Sequence, residues 1–441
     1  MRHLASIVAA GTLILCANPI HAEVGEQLGK ILPDDGAATD RFGCDVAISG
    51  NNAVVGAAYD ADNGPISGSA YLVRFGSIMG PEIVKLVADD GAMNDFFGWS
   101  IAISGNTIVI GAAFDDDLGF DSGSAYLFDA TTGAQVDKLL AADGASRDGF
   151  GGSVAIDGQY AVIGSRLDDD NGSDSGSAYV FNAGTGEQVV KLLAPDGATD
   201  DLFGVSVAIS GNTAVVGAVH DDDNGGNSGS AYVFNATTGS LIAKLLPADG
   251  AADDRFGESV AISGTTVIVG AHHDNDNGSH TGSAYLFDAT TGAQITKLVP
   301  SDGAAGDFFG FSVAISGNTV VVGAPYDSDN GASSGSAYLF DATTGAQIDK
   351  LVSDDGAMGD NLGYSVAIAG NTTVAGSWGD DDNGQDSGSA YLFGAGPDRC
   401  SPADVTTQGA PEGDPLYGVP DGQITAADIG FFVNLWILGC P

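Results

Sequence analysis

Two acidic motifs recur along the chain, and their spacing suits the binding of a hard cation. One is Asp-x-Asp-x-Gly, with its aspartates at Asp60 and Asp62, Asp115 and Asp117, Asp168 and Asp170, Asp221 and Asp223, Asp274 and Asp276, Asp327 and Asp329, and Asp380 and Asp382. The residue between them varies, through Ala61, Asp116, Asn275 and Ser328. The other motif is Asp-Gly-Ala-x-x-Asp, as at Asp196 and Asp201 or Asp302 and Asp307. Alternate residues of a tight loop can aim their oxygens at one point while glycine relieves the backbone, which is what calcium requires. Crowded carboxylates repel by roughly 1 kcal/mol per close pair in water. A bound cation reverses that cost, so the Asp-x-Asp aspartates are candidate metal ligands and Ca2+ the candidate cofactor. The competing reading is that they cap turns and face water. No lysine or arginine stands beside the cluster at Asp221 to Asp223.

Catalysis fits these carboxylates less well. An active site is a unique, asymmetric constellation, whereas these groups recur seven times. His220, His272, His273 and His280 fall in the same loops without metal-ligand spacing and read as exposed loop histidines. No nucleophile elbow, phosphate loop or zinc-enzyme motif is present.

The elements that must hold the loops are repeats. Gly-Ser-Ala-Tyr begins at Gly68, Gly123, Gly176, Gly229, Gly282, Gly335 and Gly388. Phe-Gly keeps step, from Phe42-Gly43 to Phe309-Gly310, with Leu362-Gly363 in the last copy. Within one copy, Ser206–Ile209, Thr213–Gly217, Ser230–Phe234 and 241–246 read as strands separated by turns at Gly211-Asn212 and Thr238-Gly239. Four short antiparallel strands repeated radially give an all-β fold, a seven-bladed β-propeller. The seventh copy lacks its fourth strand, and Gly25 to Leu32 resembles that strand, so the N-terminal strand is expected to complete the last blade and close the ring. Connectivity predicts that both acidic loops share one end of the propeller.

The chain has 441 residues and a formal charge of −44. That charge repels nucleic acid and anionic membrane surfaces. Residues 1–22 read as a secretory signal cleaved between Ala22 and Glu23, with no later apolar run long enough to span a membrane. Cys400 and Cys440 are expected to pair in an oxidising compartment, and Cys44 reads as a small buried hydrophobe.

The stretch "FGVSVAISGNTAVVGA" resembles the FG-GAP repeat, the blade of integrin alpha-chain propellers and of many secreted bacterial proteins. The resemblance covers Gly25 to about Gly396 and implies the propeller fold. The family's usual calcium loop lies between its two signature strands, where this chain has only the turn Ser210 to Thr213. "YLFDATTGAQ" resembles the blade of pyrroloquinoline-quinone dehydrogenases but lacks their docking tryptophan. From Cys400 the sequence is similar to the dockerin-like tails of secreted bacterial proteins. That likeness implies a calcium loop and helix module with oxygens from Asp404, Asp421, Gln423, Thr425 and Asp428, and a helix over Ala426 to Leu438.

The expected organisation is a signal peptide (1–22), a propeller (23–396) and a small dockerin-like module (397–441). The expected function is a secreted, non-catalytic binding or scaffold protein, calcium-stabilised, taking a protein or carbohydrate ligand on the propeller face and an anchoring partner on its tail. The alternative is a propeller enzyme, a quinone dehydrogenase or a polysaccharide-active protein, which a single asymmetric pocket of non-recurring residues would favour.

Overall fold

The structure, a computed structural model, describes residues 24–75 and 81–394. Among the described residues there are 28 strands and no helix. The strands form seven four-stranded sheets, each antiparallel. The fourth blade comprises Phe203–Ser210, Thr213–Ala218, Ser230–Asn235 and Leu241–Leu245. Its first strand begins three residues before the sequence suggested, after a register shift between Phe203 and Val207. A tight turn at Gly211, with φ of 56°, brings Ser210 opposite Thr213.

The two middle strands are buried along nearly their whole length, and the fourth is half exposed. This gradient explains the near-continuous apolar runs of the middle strands, which are covered on both faces by neighbouring blades. The core lies between blades. One cluster packs Val162 and Val180 of the third blade against Phe203, Val207, Tyr232 and Phe234 of the fourth.

The two sequence signatures meet at this seam. Gly176 forms a parallel bridge with Phe203 of the next blade. It has φ of 80°, and a Cβ there would stand 2.0 Å from the Phe203 carbonyl oxygen, so no other residue fits. The Phe203 ring packs edge-on against Tyr232 at 5.4 Å.

The last blade closes as the sequence suggested. Gln27–Ile31 pairs with Ser389–Gly394, Gln27 opposite Phe393 and Ile31 opposite Ala390. Phe42 bridges Gly388, so the first blade meets the last by the same seam as every other pair. Phe203 lies opposite Ala218, which puts the loops entering the first strand and leaving the second at one end of the propeller. The expectations for Ala22, Glu23, Asp404, Asp421, Gln423, Thr425, Asp428 and the Cys400–Cys440 pair lie outside the described residues.

Candidate functional site

The acidic loops converge as their spacing predicts, on a cation supplied by the chain itself. In the fourth blade the Lys244 Nζ lies 2.8 Å from Asp196, 2.8 Å from Asp221 and 2.7 Å from Asp223. The same group of three carboxylates surrounds Lys30, Lys85, Lys138, Lys191, Lys297 and Lys350. These seven are all the lysines of the chain. Each sits next to the last residue of a fourth strand, far in sequence from the loops it joins.

Within this knot Asp221 is buried. Its Oδ2 accepts from Lys244 and from the Tyr232 hydroxyl at 2.8 Å, and its Oδ1 accepts from the Asp223 backbone N–H at 3.0 Å. The Tyr232 hydroxyl also lies 2.8 Å from Asp196, so its one hydrogen is shared between the two carboxylates and ties the linker that enters the blade to the blade itself. The ammonium lies 5.0 Å from the Tyr232 ring centre. Burial opposes the charge on Lys244, but the hydrogen bonds it donates to Asp196, Asp221 and Asp223 outweigh this and hold its pKa above the usual lysine range. Burial also disfavours the Asp196 carboxylate, and the Lys244 bond overcomes this and lowers its pKa.

This geometry bears on calcium. The oxygens that converge do so on an ammonium whose three hydrogens they satisfy, so the lysine stands where the spacing placed a calcium ion. Among the described residues no group of three or more His, Cys, Asp or Glu side chains is arranged to hold a metal ion.

The remaining aspartates cap turns. Asp222, between the two that reach lysine, accepts from the Asn227 N–H at 2.7 Å. Asn227 has φ of 52°, the left-handed region, and the cap holds it there. Asp201 accepts from the Ala198 N–H at 2.7 Å, and burial pushes its pKa up to about 6.

A second site lies at the propeller axis, on the same end as the knots, and the motifs gave no sign of it. It is built from the positions where the repeats disagree. The residue after Phe-Gly is Cys44, Trp99, Gly152, Val205, Glu258, Phe311 and, after Leu362-Gly363, Tyr364. With the following residues they line a cavity of about 340 Å³ along the inner strands. The residues before Phe-Gly and after the second strand extend the wall. Tyr59 packs on Phe96 at 5.2 Å, and Phe96 on Phe114 at 5.0 Å. Arg41 lies over the rings of Tyr59 and Trp378, at 4.0 and 4.5 Å. Across the mouth, Tyr364 contacts Phe311, and Phe311 contacts His272.

The histidines depart from expectation here. His272 is 3 % exposed, packed between His273, Phe308 and Phe311, with its Nδ1 3.6 Å from Glu258. Desolvation and the neighbouring positive groups keep it neutral, and they lower His273 to about 4. Three rings, His272, His273 and His280, contact one another in series, edge-on at 4.4 Å and then tilted at 4.6 Å. Cys44 is buried and unpaired, and burial pushes its thiol up to about 12. Asp45, where the other six copies carry serine, lines the cavity, accepts from the Val46 and Ile101 N–H groups, and is raised to about 7 by burial.

The FG-GAP repeat model matches residues 26–73, 81–128, 134–181, 187–234, 240–287, 293–340 and 346–393, one match for each blade. The chain belongs to the FG-GAP repeat family. No curated protein matches it. Among solved structures it is similar to a computationally designed protein, Ika8, with a TM-score of 0.46 and 17% identity over 82% of this chain and 98% of that one. As an FG-GAP propeller it carries the family's strand signature. Its acidic residues lie outside the turn between those strands, at Asp-x-Asp loops that the fourth-strand lysines hold.

Proposed function

We propose that the chain is a secreted, non-catalytic binding or scaffold propeller whose ligand face is the axial mouth, held at a surface through residues 397–441. One observation carries the reading of the face. In a ring of near-identical blades, the large residues that differ from copy to copy gather at the mouth: Trp99, Arg166, Glu258, Phe311, Tyr364 and Trp378. Architecture alone asks for the same residue in every blade, so departures concentrated at one concave place mark a selected surface. Secretion and anchoring rest on the sequence of the two ends.

The mouth is an asymmetric pocket, which the enzyme alternative also requires, but five of its serine hydroxyls are committed. Ser153, Ser206, Ser259, Ser312 and Ser365 donate to backbone carbonyls of the next blade at 2.8–2.9 Å. None of these hydroxyls donates to a base, as an activated nucleophile does. This supports binding over hydrolysis.

Two single substitutions test the reading against any ligand found for the full chain. Trp99→Ala at the mouth is expected to weaken binding at least tenfold, and Val136→Asp on the outer edge to leave it unchanged. Loss by the outer substitution alone would place the ligand elsewhere and contradict the reading.

A further inference from the structure

The wall of the mouth is not complete. The third blade has Gly149 where its sisters carry Arg41, Phe96, Arg255 or Phe308, and Gly152 where they carry Trp99 or Phe311. The two missing side chains open a pocket of about 220 Å³ between Tyr59, Phe96, Trp99, Phe114 and Arg166. That is below the roughly 300 Å³ at which most small-molecule sites begin, and it matches a single ring.

We infer that this pocket receives the ring of an acidic saccharide, with its anionic group on Arg166. The inference rests on the axial mouth being the ligand face. Aromatic faces offer an apolar platform to a ring, while polar groups at the rim fix its orientation. Glu258, in the adjoining axial cavity, is a carboxyl able to accept from a hydroxyl group of a ligand that extends beyond the pocket. The charge is decided by the arginines. All seven lysines are spent in carboxylate knots. Arg166 donates no hydrogen bond to any described residue, and its interaction with Glu258 across the mouth is purely through space. Arg41 is held by ring faces rather than by a carboxylate. In a chain with 58 acidic residues and 14 basic ones, guanidinium donors left unpaired at one mouth select an anion. A ring of seven acidic knots surrounds them and repels an anion that lacks further contacts, so the aromatic platform is needed for affinity.

The test uses calorimetric titration of the full chain, in chelator so that calcium cannot bridge carboxylates. The probes are an oligogalacturonate, a sulfated oligosaccharide and a neutral cello-oligosaccharide of equal length. An acidic probe is expected to bind at least about tenfold more tightly than the neutral one, about 1.4 kcal/mol. The comparison of carboxylate with sulfate identifies the anion. Arg166→Gln is expected to remove that preference. Gly149→Phe is expected to abolish binding without disturbing the fold, because Gly149 has φ of 64° and Phe96 and Phe308 occupy the equivalent position at 57°. Equal binding of acidic and neutral probes, or acidic binding unchanged in Arg166→Gln, overturns the acidic-saccharide inference. A different ligand lost in Gly149→Phe would still leave the axial face standing. A ligand bound equally by Gly149→Phe and Trp99→Ala overturns both.

Discussion

The Lys244 ammonium lies 2.8 Å from the Asp221 carboxylate, although 23 residues separate them in the chain. The contact joins the end of a blade's fourth strand to the loop between its second and third, and through Asp196 to the linker that enters the blade. Three segments that the chain visits at different times are fixed to one another at one point.

Replacing Lys244 by Met leaves three carboxylates facing one another with only the Tyr232 hydroxyl and the Asp223 N–H as donors. Breaking a buried ion pair costs about 3–5 kcal/mol. Asp196 and Asp223 are half exposed and Asp221 is buried, so about 2 kcal/mol is expected here after solvent screening. Chemical denaturation of the variant measures it, and an unchanged midpoint would show the knot to be without consequence.

The turn caps give a stabilising prediction. Asp116, Asp169, Asp222, Asn275, Ser328 and Asp381 each accept from an N–H five residues on, whose residue holds a left-handed φ. The first blade has Ala61 there, and Ile66 at φ of 58° is uncapped. A β-branched residue is strained at such an angle. Ala61→Asp is expected to stabilise by about 0.5–1 kcal/mol, read as a higher denaturation midpoint. No gain would mean that the cap is incidental.

The pH dependence has two parts of opposite sign. Burial raises Asp95, Asp148, Asp201, Asp254 and Asp360 to about 6, so the folded state holds protons that the unfolded chain releases near 3.8. Their contribution is present at low pH and is lost as pH rises toward 6 and beyond. Asp196 and its counterparts Asp35, Asp90 and Asp143 are lowered, so their contribution is present above 3.8 and lost as pH falls further. The melting temperature is therefore expected to rise from pH 7.5 toward about 5 and to fall below about 4. Asp148→Asn keeps the acceptor for the Ala145 N–H and is expected to flatten the neutral limb, on the order of 1 kcal/mol after screening. A melting temperature that rises steadily from pH 5 to 7.5 would contradict this.

Ring closure is tested by deletion of residues 23–32, which removes both the last blade's fourth strand and the Lys30 knot. The truncated chain is expected to melt far below the full one. Equal melting would mean that the closing strand bears no part of the stability.

The fold was legible because its rules are local and repeated seven times. Phe-Gly, Gly-Ser-Ala-Tyr and the tight turns gave the strands, and the missing fourth strand of the last copy gave the closure. The convergence of Asp221 and Asp223, with Asp222 turned aside, was legible from their alternation. What they converge on was not, because Lys244 is remote in sequence and reads as an ordinary outward residue of an edge strand. Its recurrence at one distance from Gly-Ser-Ala-Tyr, from Gly123 and Lys138 through Gly335 and Lys350, was the available signal. The axial mouth was hidden for the opposite reason. Trp99, Gly152 and Glu258 occupy equivalent positions but share no chemistry. A search for recurring motifs passes over such a position, whereas aligning the copies and asking where they disagree finds it.

The central claim is that lysine is the cation that organises the acidic loops. The most direct measurement is the melting of the propeller in excess calcium and in chelator, for the wild type and for Lys244→Ala. The wild type is expected to melt at the same temperature in both. Lys244→Ala, whose three carboxylates are left around a vacated space, is expected to be destabilised in chelator and partly restored by calcium. A wild-type propeller that gains stability from calcium, with Lys244→Ala gaining no more, would contradict the account.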